Sequence, residues 1–236
     1  MQSSIEKLKK LENKISKRTK KIKEKLASVR KQNSNDIRKI NHLPYHKVHN
    51  WILNNQIKSI DSYHDSLSYG QLSSKMWLID QLPEGKELYI EIIGGWFGCP
   101  LIDLLNSKLN IKKIDFYEID ESCKKVLAQY LNHFKFNFKV SVFGDFFERK
   151  ELRRRDLIIN TSSEHMQDIT QMKQYFKGNP VIAIQSNDYF ELKEHTNCVN
   201  DIEELILKNE IKKVWYKGKK EFKKYNRFMV IGQWYD

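Results

Sequence analysis

Four groups of residues in this chain have types and spacing that suit chemistry on a nucleoside-like ligand. The first is Gly94-Gly95 with Gly98, closing the apolar run LYIEII at 88–93. Glycines let a backbone approach a ligand closely, and a helix that follows offers free N–H groups to polar or anionic atoms. The second is Glu118, 24 residues past Gly94 and at the end of the next apolar run. A carboxylate there can accept hydrogen bonds from both hydroxyls of a ribose. The third, Gly144-Asp145-Phe146, sets a carboxylate beside a ring where an adenine can be bound and stacked. The fourth is the polar cluster Asn160-Thr161-Ser162-Ser163-Glu164-His165-Met166. His165 titrates near neutrality and suits a general base, with Glu164 either orienting it or holding a substrate cation. Each group alone has an ordinary reading, as a tight turn, a surface acid or a helix cap. Their occurrence after four successive strands favours one shared site.

That frame follows from periodicity. Strands are expected at 88–93, 111–118, 138–143, 156–160 and 181–185, with two more at 211–217 and 227–232 closing the chain. Helical spacing falls between them: 100–109, about 120–134 with Asp120 as cap, about 167–176, and 199–208. Alternation of this kind predicts an α/β, Rossmann-like doubly wound sheet, mostly parallel, with one antiparallel strand near the C-terminus. In open α/β sheets ligands bind at the carboxyl ends of the strands. All four groups stand there, and Gln185-Ser186-Asn187-Asp188 borders the same pocket. Strand four adjoins strand one in such a sheet, which brings the 160–166 loop to the glycine turn.

On these residues the chain resembles a class I S-adenosylmethionine-dependent methyltransferase over about 88–236. Glu91 to Gly98 resembles the first motif, with Gly94 and Gly98 matching two of its glycines. Trp96 stands at the middle glycine's place, and Glu91 lies one residue earlier than the family's acid. Glu118 matches the ribose-binding acid, Gly144-Asp145 the adenine-side acid, and Asn160 the polar residue ending strand four. The resemblance is nearest to small, often virus-borne methyltransferase-like proteins. They share an N-T-S-x-E-H-M stretch and a Y-x-R-F-M-like last strand, here Tyr225-Asn226-Arg227-Phe228-Met229. It implies S-adenosylmethionine as cofactor and cofactor contacts from Glu91, Gly94, Gly95, Gly98, Glu118, Asp145, Phe146 and Asn160. His165, Glu164 and Asn160 become the catalytic candidates, and the methyl acceptor is an unidentified O or N nucleophile. The strand-four sequence is not the N-P-P-Y/F type of enzymes acting on exocyclic base amines. Two alternatives stay open: an inactive methyltransferase-fold protein with a structural role, and an RNA- or DNA-directed methyltransferase.

The net charge of +12 is unevenly spread: residues 1–32 hold 12 Lys+Arg and 3 Glu, and the rest, with 30 Lys+Arg against 27 Asp+Glu, is nearly balanced. Leu8, Ile15, Ile22 and Val29 recur at seven, and Ile5 and Leu26 share another heptad position that Glu12 and Thr19 interrupt, which predicts a basic amphipathic helix over 1–35. It is read as an extension able to meet nucleic acid or a protein partner. A helical lead-in at 36–87 precedes the 88–236 domain. His42, His46 and His49 lack a Cys or carboxylate to complete a ligand set, and the two Glu-His pairs at 164–165 and 194–195 match no ligand spacing, so no metal is expected. No apolar run approaches the ~18 residues of a membrane span. The three scattered cysteines, Cys99, Cys123 and Cys198, point to a reducing cytoplasm, the host's if the protein is viral. Oligomeric state is left open.

Overall fold

The structure, a computed structural model, describes residues 44–55 and 60–236. The basic helix expected over 1–35 lies outside these residues. The chain divides into a unit ending at Lys47 and a unit from Val48 to Asp236. The first enters the described range only as the start of helix α1, Pro44–Asn54. Helices α2 (Ile60–Ser66) and α3 (Tyr69–Gln81) follow. Then come β1 (Leu88–Ile93), α4 (Leu101–Lys108), β2 (Ile111–Tyr117), α5 (Glu121–His133) and β3 (Lys139–Phe143). The chain continues through β4 (Leu157–Asn160), β5 (Val181–Asn187), α6 (Ile202–Lys208), β6 (Lys213–Glu221) and β7 (Asn226–Gln233). The seven strands form one sheet in the order β3-β2-β1-β4-β5-β7-β6. β7 inserts between β5 and β6 and runs antiparallel to both, while all other neighbours are parallel. This is a Rossmann-like doubly wound sheet.

The central strands are apolar without alternation because both faces are covered: every residue of β4, Leu157–Asn160, is buried. The edge strand β6 alternates instead and carries Lys213, Lys217, Lys219 and Lys220, charges that discourage pairing with another sheet. Asp120 caps α5 by accepting from Ser122 N at 2.7 Å, and Cys123, Val126, Leu127 and Tyr130 of that helix are buried at helical spacing.

Two departures from the sequence reading have local causes. The segment expected as a helix over about 167–176 is a 3₁₀ stretch, Ile169–Tyr175. It buries Ile169 and Met172, three residues apart, which share a side in a threefold turn. Phe176–Lys177 then pairs with Arg153–Arg154 in a separate two-residue ladder. Finally, Glu91, assigned above to the cofactor, is fully buried in a charge network. Its carboxylate takes Arg155 Nε at 2.9 Å and Arg149 Nη1 on its other oxygen. Arg153 and Arg155 also reach Asp115. Burial raises the Glu91 pKa, and the two guanidiniums pull against that rise. Strand alternation sets its side: Glu91 faces the side of the sheet opposite to Ile90 and Ile92.

Candidate functional site

The turn after β1 is unusual in its backbone. Gly94, Trp96 and Gly98 all have positive φ, at 60°, 58° and 72°. For Trp96 the left-handed conformation costs about 1–2 kcal/mol. Its N–H donates to Glu118 Oε2 at 2.8 Å, and Glu118 Oε1 accepts from Asp120 N at 3.0 Å. The acid at the end of β2 therefore holds the glycine turn and the start of α5 together. Burial raises its pKa, and the N–H groups of Asp120 and Trp96 oppose the rise.

The glycines have different duties. A Cβ on Gly95 would sit 2.3 Å from Phe116 Cζ, and one on Gly98 would sit 2.7 Å from Leu127 Cδ1. Those two are small so that the turn packs on the sheet. Gly94 faces the β4 loop: a Cβ there would meet Met166 Cε at 2.3 Å. Asn160 Nδ2 lies 3.2 Å from Met166 Sδ, and Asn160 Oδ1 accepts from Ser162 N. Gly94, Asn160 and Met166 thus meet in one neighbourhood over adjacent strands, with Ile93 of β1 in register with Asn160 of β4.

Beyond β3 the outcome differs. Asp145 is exposed, and its Oδ1 accepts from Phe147 N at 2.8 Å, a local turn cap. Phe146, expected as the ring stacking on an adenine, is 3% exposed and belongs to the core. It stands edge-on to Tyr117 with centroids 5.2 Å apart and packs against Phe176. The turn at Asp145 sends that ring inward, and the half-buried ring beside the cap is Phe147.

The β4 loop is held by buried polar contacts. Glu164 is 2% exposed. Its Oε1 accepts from Asn187 Nδ2 at 2.6 Å and Arg227 Nη2 at 3.1 Å, while Oε2 is buried without a hydrogen-bond partner. Arg227 Nη1 also donates to Thr161 O, and Ser163 Oγ donates to Gln185 O. These contacts tie the carboxyl ends of β4 and β5 to the start of β7. His165 reaches the surface, with Nδ1 3.2 Å from Glu194 O and its ring edge-on to His195 at 4.6 Å. Partial burial lowers its pKa, Glu164 opposes that, and His195 adds to it. A neutral imidazole at pH 7 is the form a base needs.

Two buried cations of this region have no role in the sequence reading. Arg227 sits within the Y-x-R-F-M run, whose pattern carries no sign of its burial. Lys75 lies on α3, 4% exposed, among Cys99, Arg227 and Asp103. Desolvation lowers its pKa to about 8, with Arg227 adding to the drop and Cys99 and Asp103 opposing it. The signal for Lys75 is faint: one lysine in the otherwise short-polar and apolar run SSKMWLI. A cavity of about 730 Å³ opens at the other end of the sheet, between Lys86, Asp156, Asn179, Pro180 and Trp215. It lies at the amino ends of β1, β4 and β5, away from all four groups, and we assign it no part in the chemistry.

No family model matches the chain, and no curated protein matches it in sequence. Solved structures do match. A methyltransferase from Aquifex aeolicus named as dependent on S-adenosylmethionine is 16% identical, with a TM-score of 0.53 over 77% of this chain and 98% of its own. A Bacillus halodurans protein provisionally named a methyltransferase is 8% identical, with a TM-score of 0.54 over 70% of this chain and 100% of its own. The mycolic acid cyclopropane synthase CmaA1, crystallised with S-adenosylhomocysteine, is 7% identical at a TM-score of 0.53, over 69% of this chain and 84% of its own. The fold is shared with S-adenosylmethionine-dependent methyltransferases. At these identities the likeness is one of architecture. No helix among the described residues is long and apolar enough to cross a membrane.

Proposed function

We propose that this protein binds S-adenosylmethionine and transfers its methyl group to an O or N nucleophile. The observation that supports this most is Glu118, a buried carboxylate at the end of β2 whose oxygen touches the backbone of the glycine turn after β1. It stands where a ribose would exchange its hydroxyls for the Trp96 and Asp120 N–H groups. Asn160 and the Glu164–His165 pair stand at the end of the adjoining β4, which suits them to the reacting end. The bound cofactor supplies an electrophilic methyl group. His165, held below its ordinary pKa, accepts the acceptor's proton, and Glu164, fixed by Asn187 and Arg227, supports it. The site works in a reducing cytoplasm, a setting that suits three buried free cysteines. The basic segment 1–32 is its docking element for a nucleic acid or protein, and a viral origin follows from the N-T-S-x-E-H-M resemblance.

Calorimetry with S-adenosylmethionine and S-adenosylhomocysteine tests the reading. Glu118→Ala should weaken binding by about 1.5–3 kcal/mol, the range for hydrogen bonds to a charged group. Absence of saturable binding by the unsubstituted protein overturns it. Once an acceptor is found, His165→Ala should slow turnover roughly 10²–10⁴-fold with cofactor affinity kept within a few-fold.

A second reading has a specific observation behind it. Met166 fills the space over Gly94, and both Glu118 oxygens are already engaged. A protein whose cofactor cleft is closed by its own side chains serves as a structural or assembly component. Calorimetry separates the two readings.

A further inference from the structure

We propose that Glu164, His165 and His195 form a binding site for a divalent transition-metal ion of the zinc class. One ligand atom from each lies within 4.8 Å of those of the other two. Ligands 2.0–2.2 Å from a tetrahedral ion are roughly 3.4 Å apart, so a small rotation of the two imidazoles closes the set. His165 lies at the surface and His195 is half-buried, which leaves room for a small adjustment about the Nδ1 contact each ring keeps.

The donor atoms are prepared for an ion. His165 Nδ1 is 3.2 Å from Glu194 O, and His195 Nδ1 is 2.8 Å from Tyr189 O. A carbonyl oxygen only accepts, so each Nδ1 carries the proton and each Nε2 keeps its lone pair for a metal. Glu164 is anchored through Oε1 by Asn187 and Arg227, leaving Oε2 buried and unpartnered. A buried carboxylate oxygen without a donor is costly, and coordination to a cation removes that cost.

Two imidazoles and a carboxylate suit zinc, iron(II), cobalt or manganese better than calcium or magnesium, which take oxygen ligands. Arg227 shares the Glu164 carboxylate and repels a cation, which makes the site weaker than a closed four-ligand structural one. With the ion bound, His165 Nε2 is a ligand and no longer a base; the open position takes water or a substrate oxygen, whose pKa the ion lowers in its place. Residues 164 and 165 are adjacent and His195 is 30 residues on, so no ligand spacing appears in the sequence. The pairing exists because Asn197 N bonds to Glu164 O at 2.9 Å and folds the 188–198 loop over the β4 loop.

This site is tested without the cofactor, so its failure is distinct from failure of the methyl-transfer reading. Tag-free full-length protein, stripped with chelator, is titrated with Zn²⁺ by calorimetry and with Co²⁺ by visible absorption. One saturable equivalent is expected. His165→Ala and His195→Ala should each weaken it by at least the roughly 10–100-fold that loss of a supporting partner costs at metal sites. His64→Ala, at the separate His49–His64 pair, should leave it unchanged. No saturable binding overturns the proposal, as does binding that survives the His165/His195 double substitution. Should the variants fail to fold, Co²⁺ broadening of imidazole resonances in the unsubstituted protein gives the same answer. Broadening at His165 and His195 supports the site, and broadening confined to other histidines overturns it.

Discussion

Lys75 provides a quantitative test of the buried charge layout beside the site. It is 4% exposed, and its pKa falls from 10.5 to about 8, chiefly because the ammonium is desolvated. At about 1.4 kcal/mol per pH unit, that drop is worth about 3 kcal/mol. The sign follows from proton binding. Below pH 8 both folded and unfolded chains carry the proton, and folding bears the full cost of burying the charge. Between about 8 and 10.5 the unfolded chain binds more protons than the folded one, so stability rises with pH. Lys75→Met keeps the volume and removes the charge. It should stabilise the protein by up to about 3 kcal/mol at pH 7, and the gap should close as pH approaches 10.5. Urea unfolding of both proteins, followed by tryptophan fluorescence at pH 7, 8, 9 and 10, reads the difference. Other lysines, tyrosines and cysteines titrate in both proteins and cancel. Parallel pH profiles refute the reasoning, as does a variant less stable at pH 7. The latter would mean that Asp103 and Cys99 hold the ammonium favourably despite Arg227.

Two further substitutions probe the frame and the cleft. Glu91→Gln leaves Arg149 and Arg155 facing a neutral amide in a buried site, and should cost about 3–5 kcal/mol in urea unfolding. A loss below 1 kcal/mol would show that the network contributes little. Met166→Ala clears the space over Gly94 at the expense of about 1 kcal/mol of half-buried contact, and should tighten S-adenosylmethionine roughly five-fold in calorimetry. Unchanged or weaker binding would show that Met166 is no obstacle there.

Much of the architecture was legible in the sequence because it is written in short-range periodicity. The apolar runs ending in Gly94, Glu118 and Asn160 became β1, β2 and β4, and Asp120 caps α5 as its position before that helix implies. The antiparallel final strand was expected from the short loop joining two closing strands, and β7 takes that orientation. Side-chain destinations were less legible. Glu91 and Phe146 both stand beside the motifs that suggested cofactor contact, yet the pleat turns one into an arginine network and the bend at Asp145 turns the other into the core. On α3 the packing buries Lys75 and leaves Met76 54% exposed.

The residues that meet across long separations were beyond reach of the sequence. Arg227 joins Glu164 across 63 residues, and His195 joins His165 through a loop with no helical or strand period. Periodicity reports which side of its own element a residue takes, because that depends on φ and ψ alone. Which residue of another element it meets depends on sheet order, loop packing and the need to satisfy each buried polar atom, and only the tertiary structure decides those together.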